Sequence, residues 1–75
     1  MIFIVEDSTH TNPYFIKDDK GYIIGCVTVS PEGWVSQSCV KEDEAKSWSL
    51  YQGPFATKME AVNAAIADYI ARRME

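Results

Sequence analysis

Helical periodicity occurs in one stretch of this chain, residues 57–73, and that confines it to folds in which a single helix closes a sheet. The stretch opens on Thr57-Lys58-Met59-Glu60. This is a capping box, in which the Thr57 hydroxyl accepts from the Glu60 amide and the Glu60 carboxylate reaches back to the Thr57 amide. Met59, Val62, Ile66, Tyr69 and Ile70 then recur at helical spacing, while Ala61, Ala64, Ala65, Ala67 and Ala71 keep the rest of the surface thin. Such a helix can lie close against a sheet. Arg72 and Arg73 complement the carbonyl end of its dipole.

The residues upstream read as strands punctuated by turns. Residues 2–6 are mostly β-branched or aromatic, Tyr14-Phe15-Ile16 restarts the pattern, and Tyr22 to Val29 is a long apolar run. Asp18-Asp19-Lys20-Gly21 has the carboxylates and the glycine of a hairpin turn. In Ser30-Pro31-Glu32-Gly33, Pro31 suits the first central position of a type I turn and Gly33 a left-handed bulge after it. That choice sets Ser30 opposite Trp34, Val29 opposite Val35, Val27 opposite Gln37 and Gly25 opposite Cys39. Ile23, Val27, Val29, Val35 and Cys39 then share one face, and Ile24, Cys26, Thr28, Ser36 and Ser38 the other. A register without the bulge would mix serines into the Val27 face, so the hydrophobic pattern favours the bulge. It also points Cys26 and Cys39 to opposite faces, where no disulfide forms. Further on, Lys41 to Lys46 reads as a charged loop, Ser47 to Tyr51 as a short strand with Trp48 and Leu50 on one side, and Gln52-Gly53-Pro54 as a turn. The expected fold is α+β: an antiparallel meander of three to five strands packed on one C-terminal helix, with residues 1–75 as a single domain.

Charge and composition narrow the function classes. Seven basic against eleven acidic side chains leave a net charge of −4, which opposes approach to nucleic acid and to anionic lipid. The apolar run Met1 to Val5 ends at Glu6-Asp7, short of the ~20 residues that span a membrane and without the basic start of a secretion signal. Two cysteines, Cys26 and Cys39, make neither a disulfide framework nor a metal-ligand pattern, and they fit a reducing cytoplasm. His10 stands alone among Ser8, Thr9 and Thr11 and reads as a solvated loop residue, not a general base. Glu42-Asp43-Glu44 lacks the glycine and alternating oxygens of a calcium loop, and the four glycines are too dispersed to cradle a phosphate. The sequence thus points to no enzyme, no catalytic residue, no metal and no cofactor.

What remains is material for contact with another protein. Tyr14, Tyr22, Trp34 and Tyr51 are candidate anchors of an aromatic patch, and Glu42, Asp43 and Glu44 a candidate acidic rim for a basic partner surface. The expected function is a non-enzymatic protein-binding module, of the phage-type inhibitor or host-interaction kind. A structural homodimerisation module is the alternative in which the partner is a second copy, since small domains recover missing core by oligomerising.

The junction Gly53-Pro54-Phe55-Ala56-Thr57-Lys58-Met59-Glu60-Ala61, with the alanine-rich helix after it, resembles the strand-to-helix junction of the plant ethylene-response-factor DNA-binding domain and of recombinase amino-terminal arm-binding domains. In outline the likeness runs over about residues 21–71. It implies a three-stranded antiparallel sheet backed by one helix, and a sheet face that reads the major groove with Arg and Trp side chains. The strands here offer Trp34 and Trp48 but no arginine, because both arginines close the helix. A DNA-binding sheet of the recombinase-arm type is therefore the runner-up, ahead of the homodimerisation module. In size and acidity the chain is also similar to small phage or mobile-element accessory proteins, including inhibitors that occupy a host protein's surface.

Overall fold

The computed structural model describes residues 2–5, 12–42 and 45–73. Six strands, β1 (Phe3–Val5), β2 (Tyr14–Asp18), β3 (Ile23–Ser30), β4 (Gly33–Glu42), β5 (Ala45–Trp48) and β6 (Gln52–Phe55), precede one helix, α1 (Lys58–Arg73). Every pairing is antiparallel, in the order β1-β2-β3-β4-β5, with β6 also on β4. The fold is the α+β sheet and terminal helix expected from the sequence. The described residues contain no helix long and apolar enough to cross a membrane.

Strands β5 and β6 are two halves of one irregular edge. Both run antiparallel to β4, and the Ser49 amide bonds the Ser38 carbonyl between them. Between the Cys39–Trp48 and Ser36–Gln52 pairs, β4 has two residues, Gln37 and Ser38, and the edge has three, Ser49, Leu50 and Tyr51. Between Ser36–Gln52 and Trp34–Phe55, β4 has Val35 alone, while the edge has Gly53 and Pro54. One surplus residue in each interval makes two successive bulges. Gln52-Gly53-Pro54 is thus strand, not the expected turn, and most of the expected charged loop from Lys41 to Lys46 is the β4–β5 ladder.

The Asp18 turn forms as its chemistry dictates. The Asp18 carboxylate accepts from the amides of Lys20 and Tyr22, both at 2.9 Å, and the Gly21 amide donates to the Asp18 carbonyl. At the next turn Gly33 has the expected positive φ of 136°, but the register differs. Ser30 pairs with Gly33, Val29 with Trp34, Val27 with Ser36 and Gly25 with Ser38. Ser36 and Ser38 therefore share the core face with Val27, and Val35 lies on the reverse face. Ile24 is the surplus residue of a bulge against β2 and turns into the core instead of alternating outward. Val29 lies on the helix side at the far end of β3 and is 45% exposed, with the Asn12 side chain bonding its amide and carbonyl.

Of the two serines on this face, Ser38 takes its partners from the helix. A Cβ on Gly25 would stand 3.5 Å from the Ala65 Cβ and 2.7 Å from the Gln37 carbonyl. Ala61, Val62 and Ala65 are the buried helix positions, so two alanines expected only to thin the surface make the contact themselves, while Met59 and Ile70 are exposed. Arg72 spans the seam: Nη1 donates to the Ser38 carbonyl and hydroxyl at 3.1 and 2.9 Å, and Nη2 to the Ser47 carbonyl and hydroxyl at 3.1 and 3.0 Å. The Ser38 hydroxyl in turn donates to the Asp68 carboxylate. The Ser36 hydroxyl is buried without a partner. At the helix start the Glu60 amide bonds the Thr57 hydroxyl at 3.1 Å, which is the expected cap.

Replacing Arg72 by Ala leaves the carbonyl and hydroxyl oxygens of Ser38 and Ser47 without its four hydrogen bonds, and should cost about 2–3 kcal/mol. A chain of this size holds roughly 4–11 kcal/mol in total. Urea denaturation checks this, and Arg72→Lys should recover little of the loss because an ammonium cannot fork onto both serines.

Candidate functional site

The four aromatic anchors read from the sequence do not meet in one patch. Tyr14 and Trp34 are half-buried against the core, their ring centroids 5.9 Å apart, and Lys58 Nζ sits 4.1 Å from the centre of the Tyr14 ring. Their faces are thus largely occupied within the fold. Tyr22 is exposed beside the Asp18 turn, five residues along the chain from Val27, the partner of Tyr14. Tyr51 is exposed in the bulged edge. Of the acidic rim, Glu42 ends β4 opposite Ala45, whereas Asp43 and Glu44 lie outside the described residues, as do His10, Glu6 and Asp7.

The edge that carries Tyr51 has a feature the sequence did not show. Leu50, beside it in the bulge, is 90% exposed, Tyr51 is 66% exposed, and Trp48 two residues earlier is 39% exposed. Three large apolar side chains thus stand outward within four consecutive residues. An isolated exposed leucine is ordinary, but three large exposed apolar side chains within four residues make this edge the candidate contact surface.

The backbone beneath them is held firmly. Ser49 donates its amide to the Ser38 carbonyl and accepts the Ser38 amide on its hydroxyl, both at 2.9 Å. Gln37, the residue opposite the bulge, donates Nε2 to the Ser49 carbonyl at 2.9 Å. Its Oε1 faces the Cys26 thiol at 3.8 Å. Gln37 therefore ties the bulge to the reverse face of β3, and the Ser49 hydroxyl donates onward to the Leu50 carbonyl. Leu50 and Tyr51 project from a backbone with little conformational freedom left to lose, a favourable condition for anchoring. A signal for this site exists in the sequence, since the Trp48/Leu50 alternation breaks at Leu50-Tyr51 just before Gly53-Pro54, but without the β4 register it reads as a turn.

The cysteines correct a second expectation. Cys26 pairs with Gln37, and Cys39 lies two residues beyond Gln37 on the same strand, so the two thiols are diagonal neighbours on one face, not on opposite faces. Both are free and buried. Burial pushes both thiols up. Lys46 and Arg72 pull the Cys39 thiol part of the way back. Both remain protonated at neutral pH and behave as small apolar groups.

Among the described residues no three His, Cys, Asp or Glu side chains gather as metal ligands. No family model matches the chain, and neither the curated proteins nor the solved structures include a match to it.

The raised thiols give a pH dependence with a definite sign. Above the ordinary cysteine range near pH 8.5 the unfolded chain releases protons that the folded chain retains, so this contribution is intact below that range and is lost as pH rises through it. Urea midpoints of the native chain should fall more steeply between about pH 8 and pH 10 than those of a Cys26→Ala/Cys39→Ala variant, and equal slopes would contradict the assignment.

Proposed function

We propose that this chain is a non-enzymatic protein-binding module that occupies a partner's surface through its bulged edge, with Leu50 and Tyr51 as anchors and Trp48 flanking them. The observation that carries the reading is Leu50, which is 90% exposed on a backbone fixed by Ser38, Gln37 and Ser49. An apolar side chain this exposed has little packing in the fold, and a hydrogen-bonded backbone beneath it has less entropy to lose on binding than a free loop. A partner complementary to Leu50 and Tyr51 presents an apolar pocket. Compared with the aromatic patch expected from the sequence, the anchor set moves from Tyr14 and Trp34, which serve the core, to Leu50 and Tyr51.

Two features weigh against the DNA-binding alternative. The strands carry no arginine, and Arg72 spends its guanidinium on Ser38 and Ser47. Phosphate contacts and guanine readout both call on such side chains.

Leu50→Asp should leave stability within about 0.5 kcal/mol, because the side chain has little packing to lose. The immobilised native chain should retain a partner from extracts of its source cells, and the folded Leu50→Asp and Tyr51→Ala variants should lose it. Equal retention by the native chain and both variants would remove this edge from the mechanism. Sedimentation of the native chain and of Leu50→Asp identifies the case in which the partner is a second copy.

A further inference from the structure

A second site lies away from the bulge, where the two central strands part. The β3–β4 ladder ends at Gly25–Ser38, yet β3 begins two residues earlier, at Ile23, and β4 runs on to Glu42 in partnership with β5. The sheet is therefore split at this end, and the split is a cleft of about 370 Å³. Small-molecule sites run from about 300 to 1,000 Å³, so the space suits a ligand of modest size.

The walls of the cleft differ in character. Ile23 and Ile24 line it from β3 and Tyr69 from the helix, giving an apolar base. The Tyr69 ring is fixed edge-on against Phe3, with centroids 6.1 Å apart. On the β4–β5 side the lining residues are Cys39, Lys41 and Lys46. Lys41 and Lys46 are directly opposite each other in the ladder, so alternation puts both on the face that carries Cys39. Like charges directly opposite in an antiparallel pair repel. The acidic residue in the lining, Asp18, belongs to the other wall and has one carboxylate oxygen committed to its own turn. An anion is favoured beside the lysines and disfavoured beside Asp18, which fixes the direction in which a ligand enters.

We propose that this cleft binds a small apolar carboxylate, with its hydrocarbon part against Ile23, Ile24 and Tyr69 and its carboxylate between Lys41 and Lys46. The bound anion accepts a charge-assisted hydrogen bond from each of the two ammonium groups. The buried thiol of Cys39, protonated and unreactive, completes the apolar wall. No covalent step is involved. The bulged edge and this cleft share none of these side chains, so either can fail without the other.

The test is a titration of the isotopically labelled full chain with octanoate, octanol and octylamine, followed by heteronuclear NMR at neutral pH. Octanoate should give saturable shifts at Ile23, Ile24, Cys39 and Tyr69, with a dissociation constant at least about tenfold below those of octanol and octylamine. A Lys41→Glu/Lys46→Glu variant, whose spectrum reports whether it is folded, should lose that preference. Lys41→Gln/Lys46→Gln takes its place if charge reversal unfolds the chain. The proposal is overturned if octanoate gives no saturable shift at these residues at millimolar concentration, if octanol or octylamine binds as tightly, or if the folded lysine variant binds octanoate as the native chain does.

Discussion

The thin seam between the helix and the two central strands sets the terms for the rest of the molecule. At Gly25 the sheet offers no side chain: a Cβ there would press to 2.7 Å on the Gln37 carbonyl oxygen of the neighbouring strand, with the Ala65 Cβ of the helix in contact beside it at 3.5 Å. Residues that small bury little apolar area each, so they cannot hold a helix in place by the hydrophobic effect alone. Directional bonds make up the difference. Asp68 and Arg72, one helical turn apart, grip Ser38, and Arg72 extends the grip to Ser47 on the next strand. The helix is thereby fixed in rotation as well as in distance, and β5 is joined to the body of the fold by side-chain bonds in addition to its ladder.

Strand β4 receives the benefit. It is paired along both sides, with β3 on one and the divided edge of β5 and β6 on the other, and its core face is tied to the helix through Ser38. Its reverse-face Gln37 bonds the bulge from beneath. The exposed leucine thus stands at the end of a continuous series of contacts running from the helix through Ser38 and Gln37 to Ser49. The split beside Cys39 has the same origin. β4 follows β5 at that end, β3 follows β2, and nothing in the ladder holds the two together beyond Gly25.

Some of this was readable in the residues and some was not, for reasons that can be named. The helix start, the Asp18 turn, the positive φ of Gly33 and the sheet-plus-helix architecture follow from local chemistry, and local chemistry is visible in a sequence. The register of β3 on β4 is not local. The expectation that serines belong on the solvent face failed because Asp68 and Arg72, thirty or more residues downstream, satisfy Ser38. Once that register shifted, Val35 changed faces and the two cysteines came together. The bulged edge was hidden for a related reason. Gly53-Pro54 carries the signature of a turn, and only a partner strand shows that the chain continues in the same direction. Tyr14 and Trp34 read as anchors because aromatic residues are common at interfaces, but both pack against the core of so small a fold.

A bulge adds a residue to a strand without obliging its neighbours to change partners. Leu50 can therefore be exchanged for other side chains while Trp48 stays opposite Cys39 and Gln52 stays opposite Ser36. On the proposed reading, the position that meets a partner is separate from the positions that specify the shape. Selection for a new target would then rewrite the former almost without touching the latter.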